Sequence, residues 1–193
     1  MKSLKENFQT AHIVVIGSGI IGKFNALELS ELGGKITIID PAQHQNSSNA
    51  ALGLLMGNMY QKRRGRSWDL RKQSIELWPQ WITFLQKFNC ELNIEKPLIK
   101  LTTNEEKFKK LKKFIYENND LNLQILERDS IIIRNINQVF QTKNIKGLIS
   151  FDDGRINATS LLKTLDKYLK NKKINFLEDE IKTIKKSIFQ KLK

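Results

Sequence analysis

The sequence predicts an α/β fold in which a parallel sheet is interrupted by a smaller α+β lobe. Residues 12–40 have the pattern of a strand, a glycine-rich turn, a helix and a second strand, which is the unit that builds parallel sheets. No comparable apolar strand follows Asp40 for a long stretch, and residues 174–177 then offer a third parallel strand. This interruption favours a nucleotide-binding domain with an inserted lobe over a doubly wound domain of uniform repeats.

The first strand, residues 13–16, is wholly apolar and β-branched, which is typical of a strand buried on both faces of a sheet. It leads into GSGIIG at residues 17–22, the pattern G-x-G-x-x-G. In this pattern Gly17 makes the tight turn, Gly19 lets the backbone approach a pyrophosphate, and Gly22 lets the helix pack against the strand. The helix that begins here points its N–H groups and its positive dipole end at the phosphates.

The rest of the unit supports a dinucleotide site over an ordinary glycine-rich turn. The helix has an apolar face formed by Phe24, Leu27 and Leu32, and Gly33 ends it. The second strand, residues 36–39, ends at Asp40, which lies 18 residues after Gly22. A carboxylate at this point can accept hydrogen bonds from both ribose hydroxyls.

Composition places the chain among globular proteins, with 193 residues, 40% hydrophobic and 27% charged. No apolar run is long enough to span a membrane, and MKSLKENFQT at the start lacks the apolar core of a signal peptide. Cys90 is the only cysteine and is expected to be a small buried hydrophobe; a single cysteine fits a reducing compartment, so we expect a cytoplasmic protein. With two histidines and one cysteine, no metal site is expected.

The net charge of +13 has two interpretations. It could indicate a nucleic-acid or anionic-membrane partner. It could also reflect a lysine- and asparagine-rich composition, as in proteins from AT-rich genomes. The lysines are scattered rather than grouped with aromatic residues, which favours the second interpretation, so no nucleic-acid partner is expected.

The segment after the second strand is rich in small and polar residues. Pro41 ends the strand, and the cap-type residues Ser47, Ser48 and Asn49 precede the small-residue run 50–53. Small side chains there would let a flat ligand come close, or the run could begin an ordinary helix. The basic cluster of Arg63, Arg64 and Arg66 is expected to be a solvated loop.

Hydrophobic periodicity predicts the later elements. Residues 67–88 form a helix with Trp78 among its inward positions, and Pro79 should kink or break it. Further strands and helices are expected at 98–102, 104–118, 121–126, 148–151 and 157–171, with a short helix or turn at 127–135 and another strand beginning at Glu180. A metal site on Asp152 and Asp153 is possible, but a tight turn is favoured.

Four stretches together resemble the N-terminal half of the FAD-dependent amine oxidoreductases of the D-amino-acid oxidase type, which include glycine oxidase and the small subunit of D-amino-acid dehydrogenase. They are VVIGSGIIG, SSNAALGLLMG, SIELWPQW and FDDGRINATSLLKTL. The first is common to many dinucleotide folds, and the other three are more specific in this order. The resemblance implies an incomplete Rossmann-like FAD-binding domain, residues 1–84 and 156–193, interrupted by a substrate-type lobe, residues 85–155.

The resemblance also implies a set of cofactor-binding residues. The pyrophosphate would lie on the loop formed by Gly17, Ser18, Gly19, Ile20, Ile21 and Gly22. Asp40, followed by Pro41, would bind the adenosine ribose, and the backbone of Ile181 would pair with adenine. The pyrophosphate, the ribityl chain and the flavin edge would be lined by Ser47, Ser48, Ala51, Leu52, Gly53 and Leu54.

The implied reaction is transfer of a hydride from the α-carbon of glycine or a D-amino acid to flavin N5, followed by hydrolysis of the imine. No catalytic residue is assigned. Enzymes of this type run to about twice the present length, so the substrate-binding arginine and the last strands would lie elsewhere. The chain would then be a truncated product, one piece of a split enzyme with a C-terminal companion chain, or a remnant. The alternative is a non-catalytic nucleotide-binding or interaction module derived from the same fold.

Overall fold

The structure is a computed structural model, and it describes residues 11–41, 47–141 and 144–185. In chain order the described elements are β1 His12–Ile16, α1 Ile20–Glu31, β2 Lys35–Asp40, β3 Leu54–Leu55, α2 Arg66–Leu85, β4 Leu98–Thr102, α3 Glu105–Glu117, β5 Leu123–Leu126, α4 Ile131–Phe140, β6 Lys146–Ser150, β7 Gly154–Arg155, α5 Ala158–Asn171 and β8 Asn175–Glu178.

The described chain divides into two compact units. The first holds the described residues up to Ala51 and from Ala158 onward, and the second is 52–157. The lobe predicted at 85–155 lies within the second unit, which begins earlier along the chain.

The first unit contains the predicted parallel sheet, with the order β1-β2-β8. Ile13 pairs with Ile36, and Ile38 pairs with Phe176. Helix α1 packs on β1 and β2 and against α5. Ile36 and Ile38 are 4% and 0% exposed, so the core of this unit lies between the sheet and the helices. The α/β fold with a parallel sheet of these three segments is confirmed.

The expectation that residues 13–16 are buried on both faces is wrong. Val14 and Ile16 are 48% and 53% exposed, whereas Ile13 and Val15 between them are half-buried. Side chains alternate between the faces of a strand, so only one face of β1 is covered. Ile16 and Leu177 of β8 both pair with Ile39 of β2. Leu177 is also exposed, at 46%. Among the described residues, the helices cover one side of this sheet and leave an apolar strip on the other.

The second unit is built on an antiparallel sheet with the order β4-β6-β5. Its buried clusters draw residues from the sheet and from α3 and α4, notably Leu111, Leu126, Ile133, Leu148 and Ile149. The predicted cap of α3 is present, because the side chain of Asn104 accepts a hydrogen bond of 2.9 Å from the Lys107 N–H. Strand β3 pairs with β7, which ties the segment after Ala51 to the turn at Asp152 and Asp153.

Several local expectations are wrong. Pro79 does not break the helix, because it lies inside α2, in which Ile82 and Leu85 are buried. The short helix or turn expected at 127–135 is in part the helix α4, which begins at Ile131 and continues to Phe140. No strand forms between residues 179 and 185. Cys90 is exposed rather than buried, and Leu32 is 36% exposed because it follows the last turn of α1.

Candidate dinucleotide site

The glycine-rich loop lies at the end of β1 and leads directly into α1. Gly17 has a φ of +94°, a backbone conformation that favours glycine, and its N–H donates to the Ile39 carbonyl over 2.8 Å. A Cβ on Gly22 would lie 1.9 Å from the Gly17 carbonyl oxygen and 3.4 Å from Val15 Cγ1. The close approach of helix to strand therefore depends on hydrogen at position 22.

Helix α1 begins at Ile20, two residues earlier than the position of Gly22 suggests. The Ile20 N–H donates to the Ser48 hydroxyl over 2.9 Å, so an oxygen acceptor from the following loop already lies at the helix N-terminus. A Cβ on Gly19 would come within 2.9 Å of that hydroxyl. Backbone N–H groups at a helix start, with the dipole behind them, form the ordinary binding site for phosphate oxygens.

Asp40 lies beside this loop. Its Oδ2 accepts a hydrogen bond of 2.7 Å from the Ser18 N–H, which fixes the end of β2 against the turn between β1 and α1. Its carbonyl accepts a hydrogen bond of 3.2 Å from the Asp179 N–H, which fixes the segment that follows β8. Ile181 lies two residues beyond Asp179 in irregular backbone and is 37% exposed.

A cavity of about 810 Å³ opens next to Ser18 and Asp40. Its other walls come from α5 and β8, with Asn49 at one side. Binding sites for small molecules and cofactors commonly have this size. The loop, the helix end, Asp40 and the cavity together fit the pyrophosphate and ribose of an adenine dinucleotide.

Lys23 is a lining residue that the sequence analysis missed. It is 5% exposed and forms an ion pair with Asp166 of α5. A usable signal was present, because Lys23 shares the inward face of α1 with Ala26 and Leu27, the other buried residues of that helix. Its partner is 143 residues away in sequence and could not be identified from local pattern.

The remaining predicted residues are distributed over both units. Pro41 and Ser47 are exposed, and no helix begins in the small-residue run, which has a bend at Ala50 and no regular secondary structure at 51–53. Ala51 belongs to the first unit, whereas Leu52, Gly53 and Leu54 belong to the second. Gly53 has a φ of +70°, and its carbonyl accepts a hydrogen bond of 2.9 Å from the Ile156 N–H. Leu52 and Leu54 are 72% and 41% exposed, so both leave apolar surface uncovered.

The acid pair near β7 has a structural role in this fold. Asp153 is 3% exposed, and its two carboxylate oxygens accept hydrogen bonds of 2.6, 2.9 and 2.7 Å from the N–H groups of Gly57, Asn58 and Met59. These bonds connect the turn at 152–153 to the segment after β3. Within the described ranges, no group of three acidic, histidine or cysteine side chains is placed to hold a metal ion.

The basic segment before α2 differs from the solvated loop that was expected. The Arg63 guanidinium lies 4.4 Å from the centroid of the Trp68 ring, and Trp68 stacks on Tyr60 at 6.2 Å with nearly parallel planes. Arg71 lies 4.1 Å from the Tyr60 ring. Arg64, in contrast, is exposed as expected.

The helices in the described part of the chain lack the length and apolar character that are required to cross a membrane.

Several solved structures share this fold. Glycine oxidase from Bacillus cereus ATCC 14579 superposes with a TM-score of 0.72 at 20% identity, over 91% of this chain and 49% of that chain. Glycine oxidase from Geobacillus kaustophilus gives 0.68 at 21% identity, over 88% and 47%. Iminodiacetate oxidase from Chelativorans sp. BNC1 gives 0.70 at 14% identity, also over 88% and 47%. The chain thus spans about half the length of these proteins.

Sequence comparison gives the same family. No curated protein matches the sequence. The family model described as "DAO: FAD dependent oxidoreductase" matches residues 12–191, which is nearly the whole chain. The chain therefore belongs to the DAO family of FAD-dependent oxidoreductases.

Proposed function

We propose that this chain is the FAD-binding portion of an oxidoreductase that acts on the CH–NH group of glycine or D-amino acids. One observation carries the proposal: the Asp40 carboxylate accepts a hydrogen bond from the Ser18 N–H in the loop Gly17–Gly22. The chain that contains this loop belongs to an FAD-dependent family. When bound, FAD supplies the acceptor for the hydride that leaves the α-carbon of the amine. The residues of this chain bind and orient the two ends of the cofactor.

Each predicted residue has a role in this proposal. The loop Gly17–Gly22, with Ser47 and Ser48, holds the pyrophosphate, and the Ser18 and Ile20 N–H groups of this loop already donate to Asp40 and Ser48. Asp40 and Pro41 hold the ribose, and the backbone of Ile181 pairs with adenine. The exposed run Ala51–Leu54, whose Gly53 is fixed to Ile156, lies along the ribityl chain and the flavin edge.

The choice of substrate rests on the named neighbours. Two of them are called glycine oxidase, one iminodiacetate oxidase and one fructosyl peptide oxidase. The substrate named for two of these proteins is glycine, an amino acid. The chain spans 41–49% of the length of each, so we propose that a companion sequence supplies the rest of the substrate site and that the lobe at 85–155 is its partner segment. A cytoplasmic location is part of the proposal.

The test measures binding of FAD to the 193-residue chain. Quenching of FAD fluorescence reports the binding, and NAD is added as a competitor. Wild type should bind FAD in preference to NAD. Gly19→Val should abolish binding, because a side chain there meets Ser48 and fills the pyrophosphate space. Asp40→Ala should weaken binding by about 1–3 kcal/mol, the scale for a hydrogen bond to a charged group. Asp129→Ala, at an exposed position in the second unit, should bind as wild type does. Unchanged FAD affinity in both site variants would refute the proposed site.

A second candidate is a non-catalytic nucleotide-binding or interaction module. The observation that favours it is the short span of the chain relative to its structural neighbours. Co-expression with a C-terminal companion separates the two. Oxidation of glycine or a D-amino acid by the pair supports the enzyme, and FAD binding without activity in the pair supports the module.

A further inference from the structure

Arg71, on the second turn of α2, has an unusual set of partners. Its Nη1 donates to the Met56 carbonyl over 3.1 Å, and its guanidinium lies 4.1 Å from the Tyr60 ring. Its Nε is buried and has no hydrogen-bond partner among the described residues. No carboxylate in the described ranges forms an ion pair with it. The edge formed by Nε and Nη2, which grips a carboxylate in two parallel hydrogen bonds, is therefore unmatched.

A cavity of about 330 Å³ lies against this arginine. Leu54, Leu55 and Met56 form one wall, and Ile75 and Trp78 of α2 contribute another. Ser67 and Ser74 add two hydroxyl groups, and none of the lining residues is acidic. A small cavity with one cation and two hydroxyls among apolar side chains fits a small organic anion.

The neighbouring aromatic rings hold the arginine in this position. Tyr60 stacks on Trp68, and each ring carries one guanidinium, from Arg71 and Arg63. Cation–π contacts of this kind orient a guanidinium without neutralising its charge. Arg71 thus keeps its full charge for an anion, and the residues that hold it all belong to the second unit.

We propose that this cavity binds the carboxylate of a small organic acid on the Nε–Nη2 edge of Arg71, after a small rotation of the guanidinium toward the cavity. Leu54, which lines the cavity, also belongs to the run assigned to the flavin edge. The carboxylate is then that of the amino-acid substrate, and this identity rests on the proposed function. Arg71 would act in addition to the carboxylate-binding arginine that the resemblance places outside these 193 residues.

The test is titration of the 193-residue chain with sodium propionate at constant ionic strength, followed by tryptophan fluorescence, since Trp78 lines the cavity. Binding should be saturable, and Arg71→Gln should weaken it at least 10-fold. The propionate affinity of Arg71→Lys should lie between those of wild type and Arg71→Gln, because an ammonium keeps the charge without the planar fork of a guanidinium. Arg64→Gln, at an exposed arginine on the same segment, should bind as wild type does. Should Arg71→Gln fail to fold by circular dichroism, Arg71→Lys decides the matter.

Two further ligands sharpen the result. Propionamide, a neutral molecule of the same size, should bind at least 10-fold more weakly than propionate, and inorganic phosphate should not compete. Equal binding of propionamide, competition by phosphate, unaltered propionate affinity in the Arg71 variants, or no saturable binding in wild type would each overturn the inference. FAD binding is measured on the same samples. Loss of FAD binding with propionate binding intact would refute the proposed function alone, and the reverse would refute this inference alone.

Discussion

At the scale of single residues, Asp153 shows how one buried carboxylate can organise a loop. Its oxygens accept three backbone N–H groups from Gly57, Asn58 and Met59, which lie more than ninety residues earlier in the chain. The segment after β3 has no regular structure of its own there, so these bonds define its path. A carboxylate accepts such bonds more strongly than a neutral amide does.

We expect Asp153→Asn to lower the free energy of unfolding of the second unit by about 2–3 kcal/mol. The amide loses the charge and directs an N–H₂ group at backbone donors, and a buried donor left without an acceptor is costly. Urea denaturation followed by circular dichroism measures the change. The matched control is Asp152→Asn, because Asp152 is exposed and, among the described residues, bonds only the side chains of Asn58 and Asn122. Equal losses in the two variants would contradict the anchoring role.

At the scale of elements, α1 and α5 are joined at two points. Near the glycine loop, the buried Lys23 pairs with Asp166. At the far end of α1, Glu31 accepts hydrogen bonds from the Tyr168 hydroxyl and from Lys172 at 2.9 Å. The two contacts keep α5 alongside α1, and α5 forms one wall of the candidate site.

The Lys23–Asp166 pair predicts an asymmetric response to mutation. Asp166→Asn leaves a buried ammonium without its counter-charge and should cost about 3 kcal/mol of stability. Lys23→Met replaces the buried cation with an apolar chain of similar length, and it leaves Asp166, whose side chain is 38% exposed, to water. That variant should change stability by less than about 1 kcal/mol, because an apolar substitute for a buried charge is often neutral. Thermal and urea unfolding of both variants provide the measurement. A larger loss in Lys23→Met than in Asp166→Asn would contradict it.

The contact at Glu31 predicts a pH dependence at both extremes. The hydrogen bond from Tyr168, with that from Lys172, lowers the pKa of Glu31 from its usual 4.5. Its contribution to stability is therefore present above the unfolded pKa and is lost as the pH falls through the lower folded pKa. Burial, with the bond to Glu31, raises the pKa of Tyr168 to about 12. That contribution is present below the unfolded value of 10.0 and is lost as the pH rises toward 12.

Stability curves against pH test this contact. Glu31→Gln should flatten the acid limb below about pH 4.5, since the variant has no carboxylate to protonate there. Tyr168→Phe should flatten the alkaline limb between about pH 10 and 12 for the same reason. Glu28→Gln, at an exposed position of the same helix, is the control and should keep the acid limb of wild type. An acid limb in Glu31→Gln that matches wild type would show that the contact does not form.

At the scale of the whole molecule, binding and catalysis make different demands on the chain. The loop, Ser48 and Asp40 lie within one unit and one short stretch of sequence, so cofactor affinity can be local. Catalysis also requires the substrate α-carbon at about 3–3.5 Å from the accepting atom, held by groups with fixed positions. The chain spans about half of the proteins that it resembles in fold, so we expect part of that framework to lie on other residues.

The first unit also carries an exposed apolar strip, formed by Val14, Ile16 and Leu177. Parallel sheets are normally covered on both faces, so an uncovered apolar strip of this kind favours association with a partner or aggregation. It lies on the face opposite the pair Ile36 and Ile38, and a companion chain could cover it without obstructing α1.

We therefore expect the 193-residue chain alone to bind FAD weakly, to have poor solubility and to oxidise neither glycine nor D-amino acids. Turnover is measured by the release of hydrogen peroxide and by bleaching of the visible absorbance of oxidised flavin. Co-expression with a C-terminal companion should restore the yellow colour, solubility and activity. Sustained oxidation of any amine by the chain alone would contradict the expectation and would mean that these residues build a complete site.

The sequence was sufficient for the features that depend on neighbouring residues. The order of strand, glycine loop, helix and acid in residues 12–40 predicted the βαβ unit, because φ at Gly17 and the start of α1 are set within a few residues. The strand at 174–177 and the cap at Asn104 were predicted for the same reason. The resemblance to FAD-dependent oxidoreductases also rested on short motifs, and the family match confirms it.

Only the tertiary structure decided which side chains are buried and what they contact. Lys23 lies on the inward face of α1, but local pattern could not identify its partner, and local pattern assigns Asp153 and Arg71 to the surface. Each is held by a group that the fold brings near: Asp166 of α5, the turn at Gly57–Met59, and the ring of Tyr60 with the Met56 carbonyl. Likewise, the exposure of Val14 and Ile16 depends on what packs over β1, which no property of the strand itself can specify. Sequence fixes local backbone geometry, whereas burial and side-chain pairing depend on which distant segments the fold brings together.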